Sequence, residues 1–331
     1  MIKINIHNII GIKIKNPSIE IRKFFKKEFY NFIHHKNIKR NILINFKNKI
    51  VLPKNIKKLQ NNFFYDLKFK TFYMKKEGKI LSYNLSSYFK NQILVNVEKG
   101  FNIWFILYVI ENTIYLLISK KKICMLHAGA VKKNKTSHII LGPQGSGKTL
   151  YTLNKINEGY SFLGDEYVFL KRDAECLSFP RAINFKKFHN KHYNLAFKYN
   201  WNSLKVSKKI QWIFKQLLKT MLLRPNWKPM IRLRLGKVYP HIKIINKTKI
   251  NKIIFNFQNK RKISNKKLYS YYPKIILENI QFEMISRFIS IYKYITLPKD
   301  EFLRKVIADI KKAERNKIAI IRSFIYKSFK V

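Results

Sequence analysis

The sequence predicts an α/β protein with a central strand, glycine-rich loop and helix, a β-rich N-terminal part, and a basic, partly helical C-terminal part. In residues 1–100, short β-branched and aromatic runs alternate with Lys/Asn turns, which is typical of strands. Strand and helix patterns alternate over residues 124–179, and a helical pattern returns after Asn279. We therefore expect three parts, a β-rich N-terminal domain (1–100), a central α/β domain (101–260) and a helical C-terminal extension (261–331).

The N-terminal part is expected to be mainly strand, with one helix near Ile19–His34. The clearest strand patterns are Ile2–Ile14, Ile42–Leu52 and Asn62–Tyr73. No catalytic motif occurs in this part of the sequence. The adjacent pair His34 and His35 has no third metal ligand nearby, which favours a solvated helix end.

The most apolar run of the chain is Phe101–Ser119, which has about the length that spans a bilayer. Glu111 and Asn112 lie at its centre, and a lone carboxylate in lipid costs several kcal/mol. A helix that is apolar nearly all round is buried in a folded protein. The run therefore predicts a buried helix rather than a membrane span.

The net charge is +52, from 69 Lys and Arg against 17 Asp and Glu. One interpretation is a polyanionic partner such as nucleic acid. The other is compositional bias, because only 12 of the 69 are Arg, the residue better suited to forked phosphate contacts. Bias is the favoured interpretation. Residues 176–277 contain no acid and carry Trp201, Trp212 and Trp227, so they are either an anion-binding face or biased sequence around core aromatics.

The compartment is inferred from cysteines and the N-terminus. Two cysteines, Cys124 and Cys176, exclude a disulfide framework and a cysteine-rich zinc module. Met1 is not followed by the order of charged, apolar and small residues that a signal peptide shows. We expect a cytoplasmic protein.

The central part predicts a β-hairpin, a helix and two further strands. Gly159 ends the helix at a position that favours a left-handed residue. The predicted strands are Met125–Lys132, Ser137–Leu141, Ser161–Leu163 and Tyr167–Leu170. Further on, we expect a helix near Ser207–Leu223, strands within Arg232–Phe257, a helix over Asp300–Lys312 and an irregular last dozen residues.

The motif GPQGSGKT at residues 142–149 matches G-x-x-x-x-G-K-[ST], with a predicted strand before it and a helix after it. Glycines let backbone N–H groups approach phosphate oxygens, and the helix adds its N-terminal dipole. The Lys148 ammonium can bridge the β- and γ-phosphates, and the Thr149 hydroxyl can bind Mg²⁺. The residues predicted to hold ATP or another nucleoside triphosphate are Gly142, Pro143, Gln144, Gly145, Ser146, Gly147, Lys148 and Thr149.

Acidic residues are concentrated after this loop, with five of the 17 falling within residues 158–175. Asp165 and Glu166 follow Thr149 by sixteen and seventeen residues, on the next strand, and Asp165 is the best candidate to face the γ-phosphate. P-loop ATPases usually place their metal-holding Asp further downstream, so this spacing indicates a different subclass. His189 and His192 have helical metal-ligand spacing, but no Cys or acid accompanies them, which favours a solvated loop or helix.

The segment from His127 to Phe185 resembles the ATP-binding core of HPr kinase/phosphorylase and the HprK-like kinases. It contains, in the family order, a histidine, a hairpin, the glycine-rich loop, a helix, a glycine, an acidic pair and a Phe-Pro-Arg step. His127 lies fifteen residues before Gly142. The resemblance covers about residues 100–190.

This resemblance implies a P-loop kinase domain and assigns roles to individual residues. Asp165 is implied as the general base for the acceptor hydroxyl, and His127 as a residue of the phosphate site. Thr149 and Glu166 are implied as metal ligands, although the family more often has Asp at the second position of the pair. Arg181 is implied as a phosphate or substrate contact.

The predicted function is therefore an ATP-dependent, Mg²⁺-requiring kinase whose acceptor is a hydroxyl, with serine of a protein or peptide favoured over a small molecule. The resemblance does not extend to the family's C-terminal regulatory segment beyond about residue 185, so it does not imply phosphorylase activity. The alternatives are a nucleic-acid-associated P-loop ATPase and a nucleotide-binding module without turnover. A homo-oligomer is compatible with the sequence, and a membrane span is not expected.

Overall fold

The protein is a mixed α/β structure with large sheets and few helices. The computed structural model describes residues 1–34, 40–142, 145–186, 189, 191–203, 206–207, 209–210, 213–214, 230–255 and 300–328. The described helices are α1 (Ile19–Glu28), α2 (Ile103–Ser119), α3 (Lys148–Asn157), α4 (Lys191–Asn202), α5 (Leu235–Val238) and α6 (Glu301–Ser328).

The N-terminal part forms one eight-stranded sheet in the order β1-β2-β3-β8-β7-β6-β5-β4. Alternating apolar residues such as Ile2, Ile4 and Ile6 face the core, as the period of a half-buried strand requires. The mainly β prediction is confirmed. The strands are β1 (Ile2–Ile6), β2 (Ile10–Lys15), β3 (Ile42–Lys47), β4 (Lys57–Gln60), β5 (Phe63–Asp66), β6 (Thr71–Lys76), β7 (Lys79–Asn84) and β8 (Ile93–Glu98).

Helix α1 crosses between the parallel strands β2 and β3 and ends earlier than predicted, at Glu28. Ser18 caps its N-terminus by accepting a hydrogen bond from the Ile21 N–H. The residues that follow the helix pair with β1 instead, since the Asn5 N–H donates to the Phe32 carbonyl at 2.8 Å. The local sequence pattern, which suggests a helix as far as His34, gives no indication of this long-range pairing. His35 lies outside the described residues.

Helix α2 confirms the prediction of a buried helix in the apolar run. Asn102 caps it by accepting from the Trp104 and Phe105 N–H groups, and every residue from Val109 to Ser119 is buried. Glu111, only 8% exposed, forms an ion pair with Arg181. Among the helices of the described residues, none has the length and apolarity needed to cross a membrane.

The central part contains two four-stranded sheets, ordered β12-β10-β11-β18 and β17-β14-β13-β9. Helix α3 packs against β10 and β11 of the first sheet. The strands are β9 (Cys124–Leu126), β10 (Gly129–Lys133), β11 (Thr136–Leu141), β12 (Ser161–Gly164), β13 (Val168–Leu170), β14 (Glu175–Leu177), β17 (Lys247–Lys249) and β18 (Lys252–Phe255).

The single strand predicted over Met125–Lys132 is wrong, because the chain changes sheets at His127. Leu126 of β9 pairs with Val168 in the second sheet, whereas Ala130 of β10 pairs with Gly164 in the first. The segment that pairs antiparallel to β9 and β10 also changes sheets, since β12 belongs to the first sheet and β13 to the second. Two crossings therefore lie side by side, one at 127–128 and the other at 165–167.

Beyond residue 180, β15 (Ile183–Lys186) pairs with β16 (Met230–Leu233), and α4 and α5 pack beside them. The strands predicted within Arg232–Phe257 occur only in part, because α5 and a loop separate β16 from β17. Most of the helix predicted near Ser207–Leu223, together with Trp212 and Trp227, lies outside the described residues.

The predicted C-terminal helix is confirmed and begins after Asp300, whose carboxylate accepts hydrogen bonds from the Phe302 and Leu303 N–H groups. The helix continues to Ser328. The prediction that the last dozen residues are irregular is therefore wrong for residues 320–328, and the residues after Ser328 lie outside the described part of the chain. Ile320 and Ile321 are buried in the core, and this packing holds the last turns in place.

The main hydrophobic core crosses the boundary predicted at residue 100. It joins the N-terminal sheet to α2, to β9 and β13, and to α6. A smaller cluster fills the space between α3, β15, α4 and α5. The N-terminal sheet thus packs directly on the elements that carry the crossings at 127–128 and 165–167.

Candidate functional site

The glycine-rich loop connects β11 to α3 and adopts backbone conformations that favour glycine. Gly145 has φ 82° and Gly147 has φ 92°, both in the left-handed region. Gly147 is the N-cap of α3, so the unpaired N–H groups and positive dipole end of this helix face the loop. Pro143 and Gln144, predicted as loop contacts, lie outside the described residues.

Two polar side chains of the loop are buried. Lys148 is 6% exposed, and its Nζ donates to the Gly142 carbonyl at 2.7 Å, which ties the start of the loop to its end. The Ser146 hydroxyl is buried and has no hydrogen-bond partner among the described residues. Because a buried, unsatisfied hydroxyl costs about 1–3 kcal/mol, an anion in the loop would relieve this cost.

Asp165, which the sequence predicts to face the γ-phosphate, contacts the glycine-rich loop. The Thr149 hydroxyl donates to Asp165 Oδ2 at 2.9 Å. Asp165 is 6% exposed, and its Oδ1 has no hydrogen-bond partner among the described residues. Burial raises the pKa of Asp165 to about 6, against the opposing effects of Thr149, His127 and Lys148.

Gly164 makes the turn at Asp165 sterically feasible. A Cβ atom at this position would lie 2.6 Å from the Tyr167 carbonyl oxygen and 2.8 Å from Val168 Cγ1. Only glycine therefore allows the chain to fold this tightly between β12 and β13. The turn brings Asp165 and Glu166 out of the sheet and into the cavity.

Glu166 lies among cationic side chains at the edge of the cavity. Its Oε1 accepts from Asn184 Nδ2 at 3.1 Å and from an Arg232 guanidinium N–H group at 3.3 Å. Arg181 lies 3.6 Å from Oε2. Burial alone would raise the pKa of Glu166, but Arg232 and Arg181 outweigh burial and lower it to about 2. Glu166 is therefore charged at neutral pH.

A cavity of about 180 Å³ brings the predicted site residues together. His127 lines it from the crossing at 127–128, with its ring packed 5.8 Å from the ring of Tyr167. The other predicted residues that line the cavity are Gly145, Gly147, Lys148, Thr149, Asp165 and Glu166. The sequence places His127 and Asp165 thirty-eight residues apart, and the paired sheet crossings bring both to one cavity.

The structure does not bring Arg181 to this cavity, although the sequence predicts a phosphate or substrate contact. Its side chain is 4% exposed, and its guanidinium binds the carboxylates of Glu28, Glu111 and Glu166. Because three carboxylates surround this buried guanidinium, it is not exposed to the cavity. Arg181 therefore lies behind the cavity, where it contacts Glu166 at 3.6 Å.

Four residues that the sequence analysis did not assign to the phosphate site also line the cavity: Tyr167, Asn184, Lys186 and His189. His189 is 2% exposed, so the expectation of a solvated histidine is wrong. Its Nδ1 accepts from the Lys186 N–H at 3.1 Å, and burial lowers its pKa to about 4. Tyr167 reaches the cavity from the crossing at 165–167, and the other three lie on or just after β15, so their place in the cavity depends on the tertiary fold.

His192 is also buried and lies away from the cavity. Its ring nitrogens contact Asn154 Oδ1, at 2.8 Å, and the Tyr239 hydroxyl. Among the described residues, no group of three or more His, Cys, Asp or Glu side chains is arranged to hold a metal ion. Both cysteines are buried, and burial raises the pKa of each thiol to about 12.

The donor atoms in the cavity suit a hard cation shared with phosphates. Thr149 Oγ1 and the carboxylates of Asp165 and Glu166 are oxygen donors, which Mg²⁺ prefers. Mg²⁺ commonly uses only one or two carboxylates and takes its remaining ligands from phosphates and water. Asp165 Oδ1, which has no hydrogen-bond partner among the described residues, could serve as one of these carboxylate ligands.

No protein-family model matches the chain, and no curated protein matches it. Fold and site together define a mixed α/β protein whose cavity lies where a strand, a glycine-rich loop and a helix meet.

Proposed function

We propose that the protein is an ATP-dependent kinase of the HprK-like type, which transfers the γ-phosphoryl group of ATP to a hydroxyl, preferably a serine of a protein or peptide. One observation carries this proposal: a buried carboxylate, Asp165, is hydrogen-bonded to Thr149 of the glycine-rich loop. His127 lines the same cavity. A second support is sequence resemblance: His127, the glycine-rich loop and the acidic pair follow one another in the order found in the HprK-like kinases.

The loop and α3 would bind the triphosphate. The left-handed glycines Gly145 and Gly147 allow backbone N–H groups to turn toward phosphate oxygens, and the N-terminus of α3 favours negative charge. Lys148 would exchange its hydrogen bond with the Gly142 carbonyl for phosphate oxygens. The buried Ser146 hydroxyl would gain the partner that it lacks.

Thr149 and Glu166 would hold Mg²⁺, which neutralises charge on the β- and γ-phosphates when bound. The contact between Thr149 and Asp165 puts Asp165 on the same side of the cavity. An experiment on Asp165 must therefore separate a role as base from a role as metal ligand.

In the transfer step, the acceptor oxygen forms a bond to the γ-phosphorus while the bond from this phosphorus to the β–γ bridging oxygen breaks. Asp165 accepts the proton of the acceptor hydroxyl, and ADP leaves. A pKa of about 6 keeps this carboxylate mostly ionised at neutral pH, while leaving it basic enough to take the proton. Glu166, with its pKa of about 2, stays charged throughout.

The test is incubation of the pure protein with γ-labelled ATP, Mg²⁺ and a serine-containing acceptor pool. We expect Lys148→Ala to abolish labelling and ATP turnover, and Asp165→Asn to keep ATP binding while losing transfer. Asp173→Asn is the matched control, because Asp173 belongs to the same acidic stretch but only bonds the Glu175 N–H in a turn. Normal labelling by Asp165→Asn would refute the role as base.

Two further outcomes separate the alternatives. Loss of the Mg²⁺-dependent part of ATP binding in Asp165→Asn would assign this residue to the metal instead. Hydrolysis that is stimulated by RNA and weakens steeply with salt, without labelling of an acceptor, would favour the nucleic-acid-associated ATPase.

A further inference from the structure

A cluster of five charged side chains lies behind the cavity, and its members come from distant parts of the chain. Glu28 ends α1, Glu111 lies at the centre of α2, and Arg232 belongs to β16. Arg181 precedes β15, and Glu166 is the one member that also lines the cavity. We call these five residues the ion cluster.

Glu28 organises the inner side of the ion cluster. It is fully buried, and its two carboxylate oxygens accept hydrogen bonds from Arg232 Nε and an Arg232 terminal N–H group, both at 2.7 Å. This is the forked geometry that an arginine makes with a carboxylate. Arg181 adds a third contact to Glu28 at 3.2 Å. The plane of the Arg232 guanidinium is also packed 5.6 Å from the ring centre of Trp104 on α2.

The same two arginines hold Glu166. Arg232 donates to both Glu166 oxygens at 3.3 and 3.4 Å, and Arg181 approaches at 3.6 Å. These contacts are longer than those to Glu28, so Glu28 fixes the guanidinium of Arg232 more tightly than Glu166 does. Arg232 therefore serves as a rigid link from the N-terminal helix α1 to the cavity.

Of the three carboxylates in the ion cluster, Glu166 is the one that lines the cavity. Three carboxylates face two guanidinium groups, and burial raises the pKa of Glu111, which favours its neutral form beside Arg181. Glu28 is fully buried and Glu111 is 8% exposed, whereas the side chain of Glu166 is 29% exposed and opens into the cavity. Buried ion pairs contribute little to stability against an apolar alternative, so such a cluster needs another reason.

We propose that Arg232 and Glu28 are positioning residues: Glu28 fixes Arg232, Arg232 fixes the carboxylate of Glu166, and the N-terminal region thereby completes the phosphate site from behind. The inference deepens the proposed function, because Glu166 is the group positioned toward the Mg²⁺–ATP complex. It also gives α1 a direct part in the site, through Glu28.

The experiment uses the full chain with Glu28→Gln, Arg232→Gln and the double substitution. Removing one partner leaves an uncompensated buried charge, so each single variant should have a lower melting temperature, and the double variant should recover part of the loss. Turnover should not recover with it, because Glu166 still lacks Arg232. We expect the double variant to remain at least about tenfold slower than the wild type in kcat, with metal-free ATP affinity within about threefold.

Recovery of turnover together with melting temperature in the double variant would overturn the inference, since a purely structural cluster predicts parallel recovery. Arg234→Gln is the matched control: Arg234 also bridges to α1, donating to the Lys26 carbonyl at 2.7 Å, but it belongs to no contact of the ion cluster. Its turnover should match the wild type.

Arg232→Lys tests the same inference if the glutamine variants do not fold. Lysine keeps the charge but cannot fork between Glu28 and Glu166. We expect a melting temperature above that of Arg232→Gln, because the charge is kept, with kcat lowered at least about fivefold; wild-type kcat would refute the positioning role.

If the wild type itself turns over no ATP, the proposed function fails. The increase in ATP affinity on adding Mg²⁺ then replaces kcat as the measured quantity. A smaller increase in the double variant and in Arg232→Lys supports positioning of Glu166, and an unchanged increase refutes it.

Discussion

The Thr149 hydroxyl donates a hydrogen bond to Asp165 Oδ2 at 2.9 Å, across the gap between α3 and the crossing from β12 to β13. The contact joins the last residue of the glycine-rich motif to the acid that directly follows the end of β12. It holds a buried carboxylate in a position where its second oxygen has no partner among the described residues. A group held in this way is unfavourable for stability and available for chemistry.

Asp165→Asn should stabilise the free protein. Raising the pKa of Asp165 from 3.8 to about 6 means that the folded state prefers the protonated carboxyl, and the charged form at neutral pH is disfavoured by up to about 3 kcal/mol. Asparagine removes this charge. Urea unfolding at neutral pH measures the gain, and the exposed-turn control Asp173→Asn should show none.

The same pKa predicts how wild-type stability varies with pH. A carboxyl whose pKa is raised in the folded state stabilises the protein below the unfolded pKa of about 4, and this contribution is lost as the pH rises through about 6. The wild type should therefore lose stability relative to Asp165→Asn over this range. Parallel stability curves for the two proteins would contradict the burial of a titrating carboxyl.

The rate of phosphoryl transfer should fall as Asp165 becomes protonated. With a pKa of about 6 in the free protein, the charged base is depleted below this pH, and kcat/KM should fall by about tenfold for each further pH unit. A pH series of initial rates, with stability checked at each pH, measures the effect. A rate that stays constant down to about pH 5 would exclude Asp165 as the base.

Gly164→Ala should damage the site more than a similar change elsewhere. The added Cβ would lie 2.6 Å from the Tyr167 carbonyl oxygen, which forces the turn at Asp165 to open. We expect a loss of about 1–3 kcal/mol in the free energy of unfolding, together with lost turnover. Gly236→Ala is the control, because a Cβ there meets nothing within 4 Å. Equal effects at both glycines would contradict the tight turn.

Thr149→Val should remove the effect of Mg²⁺ on ATP binding, whereas Thr149→Ser should keep it. Valine has the shape of threonine but lacks the hydroxyl that would bind the metal. Titration of a fluorescent ATP analogue, with Mg²⁺ and with a chelator, measures the difference. Thr152→Val is the matched control, since Thr152 lies three residues further on in α3 and does not line the cavity. A metal effect that survives in Thr149→Val would remove Thr149 from the metal site.

Local sequence patterns determined the elements and the motif of this protein. Strand periodicity indicated the N-terminal sheet, an apolar run with a central carboxylate indicated the buried helix α2, and the glycine spacing indicated the loop at 142–149. Each of these signals lies within a few turns of helix or one strand, where neighbouring residues decide the conformation. The position of Asp165 just after the strand that follows the loop's helix predicted that it faces the phosphates, and the structure shows its contact with Thr149 of the loop.

Only the tertiary structure decided which distant residues meet. The strand break at His127 depends on pairing partners in two different sheets. The β propensity of the sequence is continuous across this position, so it does not indicate the break. Glu28 and Arg232 are separated by 204 positions in the chain, and Glu111 and Arg181 by 70. Charged residues so far apart in sequence form no local pattern that could predict their contact. The fold brings them together, and they pair because a charge that is buried away from water requires an opposite charge.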